Sequence, residues 1–408
     1  MLSKKIEEIS WEYYQKYKDD GIKVNFKRLL RTAKTTAKRA ERNYSKLESP
    51  RTSCKEIYIL HWVRETLSKG FVIKTLQKID IKSPPSEPYF QAISDYFRLL
   101  PPSLIRAINL KINNTPPPER ERLWKTFNFP LNEIKEKFAR LILLRRDYLL
   151  KKKGIPILEI FLKQFKIPKD DFEKFIKNQR KIINLCNKLL PKYEELPSWF
   201  YSEFNFPCYI CRMSNFPFKN LNEIFNFVSQ EYPLLAKFKS KVKTIMGNCS
   251  QVRYEKKTDC FLITIDKYNN FRHQAIDFIH ELGHVVNFLK DFKNCLDPLE
   301  KGKYYEENEA IKIEFSMLKK SSKNLFKANL ARILGTFWKT IFEIMLYKNP
   351  NQDIEKLYAD TFNMCFKGAK QKRNPFYILD ENIITSPFSS LPHAIVYCNL
   401  ISEMKILE

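Results

Sequence analysis

The chain has 408 residues and a formal net charge of +26 at pH 7, from 72 Lys and Arg against 46 Asp and Glu. Only eight glycines occur, too few for the many tight turns of a strand-rich fold, so we expect a mainly α-helical protein. No stretch is apolar over the length that a membrane span needs, and nine scattered cysteines favour a reducing, cytoplasmic location over a disulfide-stapled secreted one.

The positive charge would suit nucleic acid, an anionic membrane face or acidic substrates. The lysines are spread along the chain, are interleaved with Glu and Asp, and accompany no recognised nucleic-acid motif. We therefore interpret the charge as a solvated basic surface and expect no nucleic-acid partner from it. Nothing in the pattern favours a particular oligomeric state.

Helical periodicity dominates residues 1 to about 200, which we interpret as one helical domain. Proline clusters at 83–88, 100–102 and 115–118 interrupt the pattern. This half contains no cluster of metal-ligating residues. The predicted helical stretches are 3–19, 25–46, 52–70, 87–112, 130–153, 156–165 and 168–190.

Residues 201–408 form the second predicted domain, in which helices flank a hairpin. Residues 221–227 and 232–246 are predicted helices. Residues 251–254 and 259–266 are rich in β-branched and aromatic side chains and predict a β-hairpin. The second strand runs toward a helical segment, and its free edge could bind an extended peptide. The alternative is a purely structural hairpin.

An isolated C-x-x-C pair, Cys208 and Cys211, lies near the start of this domain. No second pair follows at the spacing of a zinc ribbon. We interpret the two residues as ordinary thiols.

His280, Glu281 and His284 form an H-E-x-x-H motif inside a segment that is apolar at helical spacing. The two histidines are four residues apart and project from one helical face, where they can bind a single Zn²⁺. Glu281 can then reach a water molecule as general base. Because the chain has only five histidines, a chance match is rare. The alternative is a buried helix whose histidines are satisfied by hydrogen bonds. The predicted buried stripe is Ala275, Ile276, Ile279, Leu282, Val286 and Leu289.

A catalytic zinc site needs a third protein ligand, and no histidine follows at the spacing of three-His enzymes. The acidic segment 304–314 offers candidates. The helical face of Glu307 also carries apolar residues, whereas the face of Glu309 is more polar. Ala310, one turn after Glu307, would allow close packing on the motif helix, and Glu314 could orient a ligand. Glu307 is the favoured ligand, with Glu309 and Glu314 as alternatives.

Residues 260–264 and 278–284 resemble the strand and the H-E-L-G-H motif of the oligoendopeptidase F and thimet oligopeptidase family. The third zinc ligand of that family is a Glu in a pattern E-x-x-small-x-x-x-E, which 307–314 matches. Residues 308–311 are also similar to the ligand segment of thermolysin-type enzymes. Those enzymes place an Asp where this chain has Ile313, so the resemblance favours Glu307 over Glu309.

Two later segments are similar to further parts of the same family. Residues 331–343 are similar to its helix behind the site, and 391–397 to its P-H…Y segment. By this resemblance, His393 and Tyr397 bind substrate and stabilise the tetrahedral intermediate.

The resemblance implies a mainly α, two-lobed, zincin-like metallopeptidase with a small β-hairpin or sheet beside the motif helix. Residues 1–200 would form a helical lid or wall domain, and 201–408 the zinc-binding catalytic domain. His280, His284 and Glu307 would bind Zn²⁺, with Glu281 as general base.

The implied function is zinc-dependent endopeptidase activity on short or unfolded peptides. The alternative function is that of a zincin-fold binding or effector protein with reduced catalysis. Such a protein would act on nucleic acid, an anionic membrane or one specific host protein.

Overall fold

A computed structural model describes most of the helical and strand-forming chain. The described residues are 2–19, 25–44, 55–67, 88–115, 119, 122–123, 126, 130–190, 216–247, 250–255, 260–267, 271–293, 302–367, 373 and 375–403. The predicted domain boundary near residue 200 and the Cys208 and Cys211 pair lie outside them. Contacts within the chain form two compact units, Met1–Pro84 with Val285–Glu306, and Pro85–His284 with Glu307–Glu408.

The first unit is helical, and its second helix packs through a stripe of mostly small side chains. Its first three helices are α1 (Leu2–Asp19), α2 (Phe26–Tyr44) and α3 (Lys55–Glu65). Helix α2 buries Leu29, Ala33, Ala37 and Ala40, and the short alanines let it approach α1 and α3 closely. Its opposite face is exposed and rich in Lys and Arg. The predicted helices 3–19 and 25–46 are confirmed almost to the residue.

The second unit begins with a series of helices whose ends follow local sequence signals. These helices are α4 (Pro88–Leu99), α5 (Pro102–Asn114), α6 (Leu131–Lys153), α7 (Ile157–Gln164), α8 (Lys169–Leu189), α9 (Leu221–Glu231) and α10 (Pro233–Lys237). The predicted stretch 87–112 is two helices that are divided at the prolines Pro101 and Pro102. Helix α6 ends at Gly154, whose φ of 68° is the left-handed conformation that glycine favours. Asn220 caps α9 by accepting a hydrogen bond from the backbone N–H of Glu223.

A second series of helices follows the sheet. They are α11 (Phe271–Lys293), α12 (Lys303–Ser321), α13 (Lys323–Lys348), α14 (Ile354–Cys365), α15 (Glu381–Thr385) and α16 (Leu391–Glu403). Helix α13 is lined with buried aromatic residues, and Trp338 packs against Tyr358 and Phe362 of α14. Helix α16 packs on α8 and α13. Among the described helices, each is too short or too polar to cross a membrane.

The three described strands form one mixed sheet in the order β1-β3-β2. They are β1 (Val242–Gly247), β2 (Gln251–Glu255) and β3 (Cys260–Asp266). Strand β2 pairs antiparallel with β3, which confirms the predicted hairpin, and β1 pairs parallel with β3. Residues 260–265 are all buried, as expected for a central strand.

Two expectations about this region are wrong. The second half of the predicted helix 232–246 is strand β1, because Val242, Thr244 and Ile245 favour an extended backbone and pair with β3. The strand expected to offer a free edge, β3, is paired on both sides within the described sheet. The outer positions belong to β1 and β2.

Arg145 of α6 is a buried cation that fixes the chain ahead of α16. Its guanidinium donates hydrogen bonds to the hydroxyl of Tyr347 and to the carbonyls of Ile383 and Ile384. These bonds join α6 to α13 and α15. Arg145 therefore holds α15, the helix that directly precedes α16 in the chain.

Candidate metal centre

The H-E-x-x-H motif lies in the middle of α11, a 23-residue helix with one strongly buried face. The predicted apolar stripe is buried at every position: Ala275, Ile276, Ile279, Leu282, Val286 and Leu289. His280 and Glu281 are also buried, and His284 is partly exposed. The prediction of a helix around the motif is confirmed.

Helices α11 and α12 approach each other closely at Gly283. A Cβ atom at this position would lie 2.8 Å from the backbone oxygen and 2.9 Å from the Cα of Ala310. Only a residue without a side chain fits such a contact. Because Ala310 lies one helical turn after Glu307, the contact brings the carboxylate of Glu307 next to the motif histidines.

Three imidazole nitrogens converge on one carboxylate oxygen. The distances to Oε2 of Glu307 are 3.3 Å from Nε2 of His280, 3.6 Å from Nε2 of His284 and 3.0 Å from Nε2 of His393. Zinc–ligand bonds of about 2.0–2.2 Å at tetrahedral angles place neighbouring ligand atoms about 3.3–3.6 Å apart. The observed spacing fits such a site.

The donor chemistry also fits a metal ion. Oε2 of Glu307 is buried and accepts no aligned hydrogen bond, although it has three nitrogens around it. Within the described residues, His280, Glu307 and His393 form a group of possible ligands whose ligand atoms all lie within 4.8 Å of one another. A divalent metal ion at this position would be coordinated by Oε2 of Glu307 and by the lone pairs of the ring nitrogens.

Electrostatics at the cluster favour positive charge. Burial alone would raise the pKa of Glu307, but the imidazoles of His393, His280 and His284 outweigh it and hold that pKa well below its usual value. Burial would lower the pKa of His280, yet Glu307 and Glu314 raise it to about 10. A site that attracts protons this strongly also attracts a dication, which would take the place of the proton.

Glu314 orients His280 from behind. Its buried carboxylate accepts hydrogen bonds from Nδ1 of His280 at 2.8 Å and from the hydroxyl of Tyr397 at 3.0 Å. Asn329 at 3.2 Å and Arg332 at 3.1 Å complete its surroundings. Such partners fix the ring orientation of a metal-ligating histidine. Burial opposes the charge on Glu314, but Arg332 and then His280 outweigh it and lower the pKa to about 2.

The three acidic candidates of α12 therefore differ in position. Glu307 faces the Nε2 atoms, whereas Glu314 contacts the opposite nitrogen of His280. Glu309 pairs with Lys312 at 3.0 Å on a more exposed face. Of the three candidates, Glu307 is the one whose carboxylate lies next to the Nε2 atoms of the histidines.

Glu281 is held between the motif helix and the sheet. Its buried carboxylate accepts a hydrogen bond from the backbone N–H of Val252 in β2. Burial raises its pKa to about 7, with Asp277 and Glu307 adding to the effect and His280 opposing it. Glu281 directly follows the first histidine of the cluster in the chain and interacts with it electrostatically.

The two residues predicted from the P-H…Y segment both reach this region. His393, in the first turn of α16, has its Nε2 at the cluster, while its Nδ1 is buried without a hydrogen-bond partner. Tyr397, one turn later, uses its hydroxyl on Glu314. The hydroxyl of Tyr397 therefore contacts Glu314, the residue that orients His280. The sequence instead predicts that this hydroxyl binds the oxyanion.

Sequence reasoning missed two members of this network, Asn329 and Arg332. A signal for Arg332 exists, since it is a lone cation among the apolar residues Leu330, Ala331, Ile333 and Leu334. An arginine within an apolar helix needs a buried carboxylate partner. Glu314 is that partner.

Comparison with protein-family models gave no match, and comparison with curated proteins gave none either. Among solved structures, the chain is similar to PZ peptidase A with inhibitor 2, at a TM-score of 0.52 and 10% sequence identity. The similarity covers 93% of this chain and 86% of that chain. The predicted fold class, mainly α with a small sheet beside the motif helix, is confirmed, and the fold of this chain is similar to that of PZ peptidase A.

Proposed function

We propose that this chain is a zinc-dependent peptidase in which His280, His284 and Glu307 hold the metal ion. The observation that carries the proposal is the convergence of ring nitrogens on Oε2 of Glu307 at the spacing of a tetrahedral site. The similarity in fold to PZ peptidase A supports peptide hydrolysis as the reaction.

Bound zinc would polarise the scissile carbonyl and lower the pKa of a water molecule. Glu281, directly after His280 in the chain, removes a proton from the attacking water. The water oxygen bonds to the carbonyl carbon, the carbon–nitrogen bond breaks, and Glu281 returns the proton to the leaving amine. Val252 orients the Glu281 carboxylate through its backbone N–H.

We assign stabilisation of the oxyanion to His393, whose Nε2 already lies at the cluster. A single aligned donor in a water-excluded site contributes about 3–4 kcal/mol to transition-state stabilisation. Tyr397, the other predicted donor, would have to release Glu314 before it could reach the substrate. Its role as a donor stays a prediction.

The proposed substrates are short or unfolded peptides. The restriction follows from the predicted lid or wall role of residues 1–200, which stays a prediction. A series of peptides of increasing length, followed by a folded protein, tests it. Equal cleavage rates throughout the series would contradict the restriction.

The test of the function is a quenched-fluorescence peptide assay with metal analysis on the same preparation. Chelation should abolish cleavage and added Zn²⁺ should restore it. E281Q should bind zinc normally and lose hydrolysis, because the amide cannot accept the proton. E309Q is the matched control, since Glu309 lies on α12 away from the cluster. Undiminished cleavage by E281Q would contradict the mechanism.

A second candidate function is a metal-binding protein of this fold that does not turn over peptide. The approach of His393 favours it, because four protein donors close a zinc site that three would leave open. Stoichiometric zinc without cleavage of any peptide in a diverse library would favour this candidate over the peptidase.

A further inference from the structure

His393 is closer to the common oxygen of the cluster than either histidine of the motif. Its Nε2 lies 3.0 Å from Oε2 of Glu307, against 3.3 Å for His280 and 3.6 Å for His284. A zinc peptidase with three protein ligands keeps a position for water or substrate. In this structure a third imidazole nitrogen lies at ligand spacing from the shared carboxylate, which makes His393 a fourth possible protein ligand beside His280, His284 and Glu307.

We propose that His393 is a displaceable fourth ligand, which binds the metal when no peptide is present and leaves when a peptide carbonyl enters. The proposal rests on the proposed function, since it concerns the same metal. No covalent bond changes in the exchange, in which one imidazole nitrogen gives up its place at the metal to substrate.

The surroundings of the two rings explain why His393 could be displaced and His280 could not. His280 donates from Nδ1 to Glu314 at 2.8 Å, and its side chain is 8% exposed. Nδ1 of His393 is buried without a partner, and its side chain is 24% exposed. Histidines built as permanent ligands are oriented through their second nitrogen. His393 lacks that restraint and borders open space.

The backbone that carries His393 is firmly held, so displacement requires only rotation of the side chain. The backbone N–H of Phe388 donates to Glu343 at 2.9 Å, and Phe388 is fully buried. Pro392 and Ala394 on either side of His393 are buried as well. The ring can leave the metal, take up a proton from solvent at the freed Nε2, since its side chain is partly exposed, and then donate that N–H to the oxyanion as its proposed role requires.

The experiment measures Zn²⁺ affinity of the full-length chain by competition with a chromophoric chelator, for the wild type, H393F and H393A. H393F keeps a ring of similar size without a ligand atom. The dissociation constant for Zn²⁺ should rise at least about tenfold in both variants. Loss of a residue that only orients a metal ligand already weakens binding by about that factor, and loss of a ligand should weaken it at least as much. E309Q should bind as the wild type does. Unfolding midpoints identify any variant that fails to fold.

Co²⁺ absorption reports whether the fourth position is occupied by protein. Added imidazole should shift the H393A spectrum toward that of the wild type and leave the wild type unchanged. A peptide hydroxamate, which binds through the position that substrate would use, should make the spectra of the wild type and H393F coincide. Spectra that stay distinct with the hydroxamate would contradict displacement.

The outcomes separate this inference from the function on which it rests. If the wild type binds no zinc, both fail. If it binds zinc and both His393 variants match its affinity and its Co²⁺ spectrum, only the fourth-ligand proposal fails. An equal response of the wild type and H393A to imidazole would also overturn it, because the wild-type site would then already be open.

Discussion

Two buried carboxylates on consecutive helices of the second unit are held in opposite charge states. Glu314 of α12 is surrounded by Arg332, His280, Asn329 and Tyr397, and its pKa is lowered to about 2. Glu343 of α13 accepts a hydrogen bond from the backbone of Phe388, and burial raises its pKa to about 8.

The comparison shows that burial does not by itself decide ionisation. Desolvation is the largest single influence on both groups, and it favours the neutral acid in each. At Glu314 a guanidinium and an imidazole in direct contact overcome it. At Glu343, Arg145 and Lys339 oppose it only at longer range, and Asp380 reinforces it. The charged carboxylate is the one that orients His280, the proposed metal ligand, whereas the neutral acid accepts the backbone N–H of the buried Phe388.

The largest expected effect comes from removing the charge of Glu314. In E314Q, Arg332 loses its carboxylate partner at 3.1 Å and keeps the more distant Asp277 at 3.8 Å. His280 and Tyr397 lose a charged acceptor in the same variant. Because a hydrogen bond to a charged group contributes about 1.5–3 kcal/mol, the free energy of unfolding should fall by about 3 kcal/mol. E314Q should also weaken Zn²⁺ binding by about 10–100-fold, because His280 loses its orienting partner. Denaturant unfolding and metal titration measure the two effects.

E309Q on the same helix provides the control for E314Q, with an expected change in stability within about 0.5 kcal/mol. If E314Q bound zinc as tightly as the wild type, the orienting role of Glu314 would be wrong.

The neutral state of Glu343 predicts a pH dependence with a definite sign. In the folded chain Glu343 keeps its proton up to about pH 8, whereas in the unfolded chain a Glu loses it near the ordinary pKa of 4.5. Its stabilising contribution is complete below pH 4.5 and is lost as the pH rises from there to about 8. The loss is at most about 1.4 kcal/mol per pH unit.

E343Q removes this titration while keeping an acceptor for the N–H of Phe388. Its stability relative to the wild type should therefore rise steadily between pH 5 and 8 and level off above that range. Chemical denaturation at a series of pH values measures the difference. A constant difference across the range would show that Glu343 is ionised in the folded chain.

The parts of the site that could be predicted from the sequence are those that depend on residues close together in the chain. The motif helix, the choice of Glu307 and the close packing at Ala310 are predicted from helical spacing and residue size. In the structure the helix is present, Oε2 of Glu307 lies 3.3 Å from Nε2 of His280, and the backbone of Ala310 lies against Gly283. The approach of His393 to Glu307 joins residues far apart in the chain. No local pattern encodes that distance.

The errors in the fold have a related cause. Strand β1 was predicted as helix because an apolar pattern over a few residues suits both structures, and its parallel pairing with β3 decides the outcome. The central position of β3 likewise depends on that pairing. The helices of the first unit and α6 to α8, whose boundaries depend on prolines and helical periodicity, were predicted closely.

A smaller effect is expected at the helix crossing that assembles the site. In G283A the new Cβ would meet the backbone of Ala310 at 2.8 Å, and neither backbone can yield without separating α11 from α12. Overpacking of this kind lowers stability by about 1–3 kcal/mol, and the separation should weaken metal binding as well.

G154A is the matched control for G283A. Gly154 has a φ of 68° and open space around its Cβ position, so alanine is strained there without touching the site. Stability should fall while Zn²⁺ affinity stays at the wild-type value. Equal loss of affinity in both variants would mean that general destabilisation, and not the helix crossing, controls metal binding.

The smallest change is the removal of one hydroxyl, and it distinguishes two roles of Tyr397. Y397F loses the hydrogen bond to the charged Glu314, which should cost about 1.5 kcal/mol of stability. If Tyr397 acts through Glu314 and His280, Zn²⁺ affinity should fall in the same variant while kcat at saturating zinc changes little. If Tyr397 donates to the oxyanion, kcat should fall by about 10²–10³ with metal affinity intact. The observed contact favours the first result, because a hydroxyl engaged with a buried carboxylate must give up a charge-assisted hydrogen bond before it can serve the substrate.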